Sequence, residues 1–371
     1  MKRQTIIKKT GLFLITIVLI LALVAGCAQG VTQTTEPEKT ESAAPEKTAE
    51  ATATPEVKKQ IKVGLLTSGD INDNGWNAMA YDGLLMIEKE LGAEISVVTN
   101  VAASDMQSLF REYAANGFDY VIGHGNQYTD AAKAVAPEFP ETRFIINSST
   151  ATQEPNLISC DMNAFQEAFL EGIFATKMSK TKKIGFIGGN EQPSTINNFN
   201  GCKIAVAYAD PEAEFVGTYL GTVTDAAKAK EVALTFIDQG VDAMIAHCAG
   251  AVGGVYEAAE ESTGVIVTGA TRNRYNEAPT VIPVSTEVDL GLKNFQLIKA
   301  FEEGSIPFEV KVYTVDIQSG GIRYVDLQGH WKEDVPADIW EYVKKVEKAI
   351  KDGVIDVGPH ITDASQIPQV Q

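Results

Sequence analysis

The chain has 371 residues, with 31 lysines and arginines against 49 aspartates and glutamates, for a formal charge of −18. That length is enough for two domains. So acidic a balance argues against nucleic acid as a partner, because phosphate contacts need clustered Lys and Arg; it carries no information about fold.

At the N-terminus Lys2, Arg3, Lys8 and Lys9 precede a run from Gly11 to Gly26 that is almost wholly apolar. The run is shorter than the roughly 20 residues a spanning helix needs, so residues 1–26 read as a signal peptide. It ends Val24-Ala25-Gly26-Cys27, which resembles the lipobox of bacterial lipoproteins. In that reading Cys27 is the lipidated first residue of the mature protein, anchored at the extracytoplasmic face of the cell membrane. Residues 27–60 are rich in Thr, Glu, Pro, Ala and Lys, lack aromatic residues, and read as a flexible tether.

A folded body begins near Ile61. The stretch IKVGLLTSGDINDNGWNAMAYDG (Ile61 to Gly83) opens with an apolar run that reads as a buried parallel strand. A polar loop and a helix from about Trp76 follow. Ligands of open α/β sheets bind outside the carboxyl ends of the strands. Asp73, Trp76 and Asn77 are therefore candidate contacts, offering hydrogen-bonding groups beside an aromatic face suited to a planar polar ligand. A capped helix start with Trp76 packed inward explains the same stretch.

Beyond it, strand-like runs at 61–67, 94–99, 119–123, 143–147, 157–161, 183–188, 214–220, 241–247 and 264–268 alternate with helical patterns at 76–91, 104–116, 129–137, 163–179, 198–209, 226–239 and 251–262. Repeated βα units predict parallel sheets with helices on both faces. A body of this size exceeds one core, so two α/β lobes are expected. The first is 61–160 plus 288–317, the second 161–287 plus 318–360, and 361–371 reads as an irregular tail. Strands at 281–288, 309–317 and 321–325 and helices at 289–303 and 336–351 complete the pattern.

No phosphate-binding loop, zinc-protease motif or nucleophile elbow occurs. His124, His247, His330 and His360 show no metal-ligand spacing. His247 and Cys248, adjacent on a strand, point to opposite faces and read as structural. Cys160, Cys202 and Cys248 read as small buried apolar residues. No enzyme activity, cofactor or metal is expected. Several polar, Gly-rich loops do sit at strand ends: GHGNQY (Gly123 to Tyr128), GGNEQP (Gly188 to Pro193), CAGAVGG (Cys248 to Gly254) and GATRNRY (Gly269 to Tyr275). Together they favour a shared binding cleft, with Asn126, Tyr128, Thr271 and Asn273 as polar candidates.

Segment 61–317 resembles the basic membrane protein family, nucleoside-binding lipoproteins of bacterial ABC importers. The likeness rests on DNGWNAMAYDG, on KKIGFIGGNEQPSTINNFNGC (Lys182 to Cys202) and on GTVTDAAKAKEVALTFIDQGVDAMIAHCAGAVGGVYEAA (Gly221 to Ala259). The resemblance implies a type I periplasmic-binding-protein fold: two doubly wound parallel-sheet lobes joined by a three-strand hinge. It also implies a monomer that closes on a small-molecule ligand and docks on an ABC permease. Asp73, Trp76 and Asn77 are carried over as ligand contacts, and Gly250 as a backbone contact. The family's nucleoside binders have Gly-Val-Asp-x-Asp where this chain has Gly269 to Asn273, and a Lys near Glu287. The resemblance implies a purine-type base or nucleoside as the ligand. A riboflavin-like ligand, or a cell-surface sensor signalling to a protein partner, is the alternative.

Overall fold

The computed structural model describes residues 59–72 and 76–370. The chain divides into two units, Met1–Lys59 and Gln60–Gln371, and all the secondary structure described lies in the second. The signal peptide, Cys27 and Asp73 fall outside the described residues.

In chain order the elements are β1 (Lys62–Thr67), α1 (Trp76–Leu91), β2 (Glu94–Val98), α2 (Met106–Ala115), β3 (Tyr120–His124), α3 (Thr129–Val135), β4 (Arg143–Asn147) and β5 (Leu157–Met162). Then come α4 (Ala164–Met178), β6 (Lys183–Gly188), α5 (Pro193–Ala209), β7 (Glu214–Tyr219), α6 (Ala226–Asp238), β8 (Ala243–His247), α7 (Val252–Glu260) and β9 (Ile266–Thr268). The chain ends with β10 (Thr286–Val288), α8 (Leu290–Glu302), β11 (Val312–Val315), β12 (Ile322–Tyr324), α9 (Trp331–Asp334) and α10 (Ala337–Lys351).

One parallel sheet has the order β11-β5-β4-β3-β1-β2, a second parallel sheet has β7-β6-β8-β9, and β10 pairs antiparallel with β12. The apolar runs that predicted central strands lie between neighbours on both sides, and β3, β4 and β8 are buried almost throughout. The chain passes between the two sheets three times: from β5 into α4, from β10 into α8, and from β11 to β12. Asn163, Asp225 and Asp289 cap α4, α6 and α8 by accepting from the N–H groups of Gln166, Lys228 and Leu292.

Helix α4 is central. It is buried from Ala164 through Thr176 and packs on α5, α10, β8, β10 and β12. Helix α8 instead packs on α1 in the first lobe. A Cβ on Gly83 would lie 2.4 Å from the Cα of Gly291, so these two helices touch backbone to backbone. Three differences from the sequence expectation have physical reasons. Helix α5 starts at Pro193 rather than 198, because proline suits the first turn. The strand expected over 281–288 is confined to Thr286–Val288, since Pro283 has no N–H for a ladder. The expected tail is docked: Ile361 and Ile367 are buried, and the Tyr208 hydroxyl donates to the Pro368 carbonyl at 3.1 Å. Cys160, Cys202 and Cys248 are free thiols, and all three are buried.

Candidate functional site

The strand ends of the first sheet bring Trp76, His124 and Asn147 together. His124 terminates β3, with Asn147 beside it at the end of β4. The His124 Nε2–H donates to the Trp76 carbonyl at 2.9 Å, and Asn147 Nδ2 donates to His124 Nδ1 at 2.8 Å. A carbonyl can only accept, so Nε2 carries a proton. The Trp76 indole leans on that imidazole, with ring centroids 4.3 Å apart and 32° between planes. Trp76 is half-buried, whereas His124 and Asn147 are fully buried. Asn77, 8 % exposed, lays its amide against the turn after β1: a Cβ on Gly69 would lie 2.5 Å from Asn77 Nδ2.

The other first-lobe candidates separate. Asn126 is exposed in a short 3-10 turn, Asn126–Tyr128. Tyr128 belongs to the core, fully buried and edge-on to Phe110 at 6.1 Å; burial pushes its phenol well up. The polar loop reading was right for the backbone and wrong for this side chain, because the 3-10 turn rotates it inward.

In the second lobe the loops after β6, β7 and β8 are tied by backbone bonds. Gly189 N–H donates to His247 O at 2.9 Å, Gly221 N–H to Gly189 O at 2.9 Å, and Ala251 N–H to Val223 O at 3.0 Å. Gly250 is exposed within this knot. Asn273 is exposed, and its Oδ1 accepts from Tyr275 N–H at 3.1 Å. Thr271 adopts φ +69°, a conformation that is rare for a β-branched residue and persists only where its surroundings hold it. Glu167 lies close by, and Thr271 draws its carboxyl toward the ionised form.

Glu167 opens a cluster that sequence reasoning missed. Glu167 and Glu171, one turn apart on α4, are 1 % and 0 % exposed. Glu171 Oε2 accepts from His247 Nε2 at 2.7 Å, and Oε1 accepts from the Thr286 hydroxyl at 2.6 Å. Burial raises Glu167 to about 7, against the opposing charge of His247 and with the like charge of Glu171 adding to the shift. For His247 burial alone lowers the value; the charge and hydrogen bond of Glu171 outweigh it, and the ring rises to about 8. The ligand atoms of Glu167, Glu171 and His247 lie within 4.8 Å of one another, a spacing that could accept a cation, but here the charges compensate each other. A signal was available: two carboxylates at i and i+4 inside the Phe165–Phe174 apolar pattern must be buried and must find partners. His247 does serve structure, as expected, through Glu171 rather than Cys248.

Glu287, the position where the family likeness led to a Lys, is paired: Arg323 Nη2 lies 2.7 Å from its Oε2. A groove of about 630 Å³ runs along β12 and α10, away from the strand ends. Three of its four cations, Arg323, Lys344 and Lys348, are matched with Glu287, Glu347 and Asp352.

Two lobes of parallel sheet joined by three crossings define the architecture of a solute-binding protein. Residues 60–357 match the family model described as ABC transporter substrate-binding protein PnrA-like, and the chain belongs to this Bmp family. It is 28 % identical over 324 residues to the ABC transporter nucleoside-binding protein BmpA of Lactococcus lactis, covering 81 % of this chain and 90 % of that one. It is 29 % identical over 259 residues to basic membrane protein A2 of Borrelia garinii, covering 66 % and 75 %. Among solved structures, an ABC transporter solute-binding protein from Conexibacter woesei superposes with a TM-score of 0.66 at 24 % identity, covering 80 % of this chain and 98 % of that one. A transcriptional activator of the comK gene from Bacillus halodurans gives 0.67 at 23 % identity, covering 81 % and 100 %. The fold is the type I periplasmic-binding-protein fold. The chain is an ABC-transporter substrate-binding protein and not an enzyme.

Proposed function

We propose that this protein is the lipid-anchored capture subunit of an importer, and that it takes a planar heterocycle of the purine-base type between lobes 61–160 plus 288–317 and 161–287 plus 318–360. The observation that carries this reading is the pre-set platform at Trp76: its ring is backed by His124, its carbonyl is held by the same imidazole, and the Asn77 amide is its sequence neighbour. A planar ligand stacks on such a face while an amide reads its edge. Asp73, Asn126, Gly250 and Asn273 are the further contacts we assign. Thr271 is reassigned as a support, since it interacts with the buried carboxyl of Glu167. That commitment favours a free base over a ribonucleoside, whose buried hydroxyl would go unpaired at a cost of about 1–3 kcal/mol. A ligand that bridges both lobes binds the closed state better and so shifts the chain toward it.

The nucleoside-binding relative in Lactococcus lactis favours a second reading, the ribonucleoside itself. Calorimetric titration of hypoxanthine, guanine, adenine, their ribonucleosides and riboflavin separates the two. We expect a base to bind about tenfold or more tightly than its ribonucleoside; tighter binding of the nucleosides overturns the base assignment.

A further inference from the structure

Among the described residues one group of metal-ligating side chains converges, and it lies apart from the proposed ligand contacts. The donor atoms of Glu167, Glu171 and His247 are all within 4.8 Å of one another. Two carboxylates one turn apart on α4 face the imidazole that ends β8. An ordinary buried ion pair would need only one of them. Glu171 meets His247 at 2.7 Å. The second carboxylate, Glu167, is equally buried, and among the described residues His247 is the cation that bears on it.

A fourth group points to the same place. Thr268 is fully buried, and its hydroxyl has no hydrogen-bond partner. In register Thr268 lies beside Ile245 of β8, while on the other side the next residue, Gly269, bridges Ser285. Thr268 therefore stands between the strands that carry His247 and Thr286, and both of those residues bond Glu171. Side chains alternate across a sheet. Val267 packs on α7, so Thr268, like Ile245 and Ile266, turns to the face that α4 covers. Unpaired buried polar atoms of this kind mark positions for water or an ion.

We propose that Glu167, Glu171 and His247, with the Thr268 hydroxyl beside them, form a site for one divalent cation of the zinc type, which clips α4 to β8 and β9 in the second lobe. The charges balance. Without a cation this buried volume is neutral only when His247 is an imidazolium and one carboxyl keeps its proton. A divalent cation against two carboxylates and a neutral imidazole is neutral as well, so one ion takes the place of two protons. The donor types select the ion. An imidazole beside two carboxylates suits zinc, whereas calcium and magnesium take oxygen ligands and more of them. Zinc bonds of about 2.0–2.2 Å would open the His247–Glu171 separation from 2.7 Å to about 3.3 Å.

The surroundings fit. His247 keeps 8 % of its side chain exposed against 0 % for Glu171, so an ion enters past the imidazole, at the strand end. Arg274 bears on His247 with opposing charge, but its guanidinium is bonded to Glu277 and to the Ala270 carbonyl. Cys202 faces both carboxylates from α5; burial keeps its proton, and the thiol donates to the Ala168 carbonyl, so sulfur is not among the ligands. The histidines lack metal-ligand spacing along the chain; the fold supplies it by setting α4 over β8.

Titration of the full chain with Zn²⁺ alone tests this. The surface pairs His330–Asp334 and His360–Asp356 and Cys27 are other places for the ion, so the background carries Cys27→Ala, His330→Gln and His360→Gln. After treatment with a chelator, calorimetry should show one ion bound per chain at equimolar metal, and the melting temperature should rise with it. Glu171→Gln and His247→Gln should abolish that binding. Thr268→Val, which keeps the shape and removes the hydroxyl, should weaken it about tenfold. Should the first two variants fail to fold, Co²⁺ in the unsubstituted site decides: it should give a tetrahedral absorption spectrum without a thiolate charge-transfer band. A thiolate band overturns the proposal. So does the absence of saturable binding, binding that survives Glu171→Gln, or displacement of Zn²⁺ by equimolar Mg²⁺ or Ca²⁺.

Discussion

His124 holds Trp76 twice: its ring backs the indole at 4.3 Å, and its Nε2–H holds the carbonyl of the same residue at 2.9 Å. One buried side chain therefore sets both the position of the backbone where α1 begins and the tilt of the aromatic face. Trp76→Ala should weaken binding of hypoxanthine, or of whichever base binds best, by on the order of 1 kcal/mol beyond the lost contact area. His124→Ala should weaken it as well, and the double variant should lose less than the sum, since both act through one platform. Calorimetry on the three variants measures this. Wild-type affinity in Trp76→Ala would make Trp76 a packing residue and remove the platform from the site.

Gly83 and Gly291 set a second close relationship, where α1 and α8 meet backbone to backbone. Gly83→Ala must push the helices apart or bend them, and overpacking of this kind costs about 1–3 kcal/mol. Gly92, at the end of the same helix, has open space around a new Cβ but a positive φ of 65°. Its alanine variant separates a backbone cost from a packing cost. Urea midpoints of both variants give the comparison; an unaltered midpoint for Gly83→Ala would show that the α1–α8 contact is looser than it stands here.

The buried ion pair makes a prediction about stability and its pH dependence. Glu171→Ala leaves the His247 imidazole in a dry site without its carboxylate, and breaking a buried pair on one side costs about 3–5 kcal/mol. Glu167 keeps its proton to about 7 in the fold against an ordinary 4.5, and His247 keeps its own to about 8 against 6.5. Both groups bind protons more tightly folded than unfolded. Their contribution is complete below the unfolded values and is lost as pH rises through the folded ones. Stability from this cluster should thus fall from about pH 5 to about pH 8. Denaturation midpoints across that range should decline in the wild type and decline less in Glu167→Gln. A wild-type midpoint that climbs over the same range would refute the assignment.

Anchoring follows from Val24 to Cys27 and concerns residues outside those described. Among the described residues no helix is long and apolar enough to cross a membrane. Cys27→Ala should move the protein from the membrane fraction to the soluble fraction, because one acyl chain alone holds weakly and the mutant has none. Full retention of the variant in the membrane fraction would end the lipoprotein reading.

Most of the fold was legible because its signals are local. Buried parallel strands such as Tyr120–His124 announce themselves as short apolar runs, and the helix from Trp76 to Leu91 carries its own periodicity. Of the proposed contacts, Trp76 and Asn77 could be named from the sequence because chemistry and loop position coincide there. Tyr128 misled because a 3-10 turn decides which way a side chain faces, and sequence spacing does not report it. Glu167 and Glu171 were hidden because their partners, His247, Thr271 and Thr286, come from distant strands and loops. The negative charge at Glu287 is matched by Arg323 on the neighbouring strand, a pairing fixed only by the β10–β12 register.

The three free thiols have a practical consequence. Cys160, Cys202 and Cys248 are all buried, and burial raises the first and last to about 12 and Cys202 well above its usual range. Thiolate is the reactive form, so maleimide dyes should pass these positions by in the native protein. One cysteine introduced at exposed Leu85 and another at Val354 would then be, Cys27 aside, the sites that take a fluorophore pair. With the native thiols left in place, energy transfer between those two labels could follow the approach of one half of the molecule to the other as ligand is added.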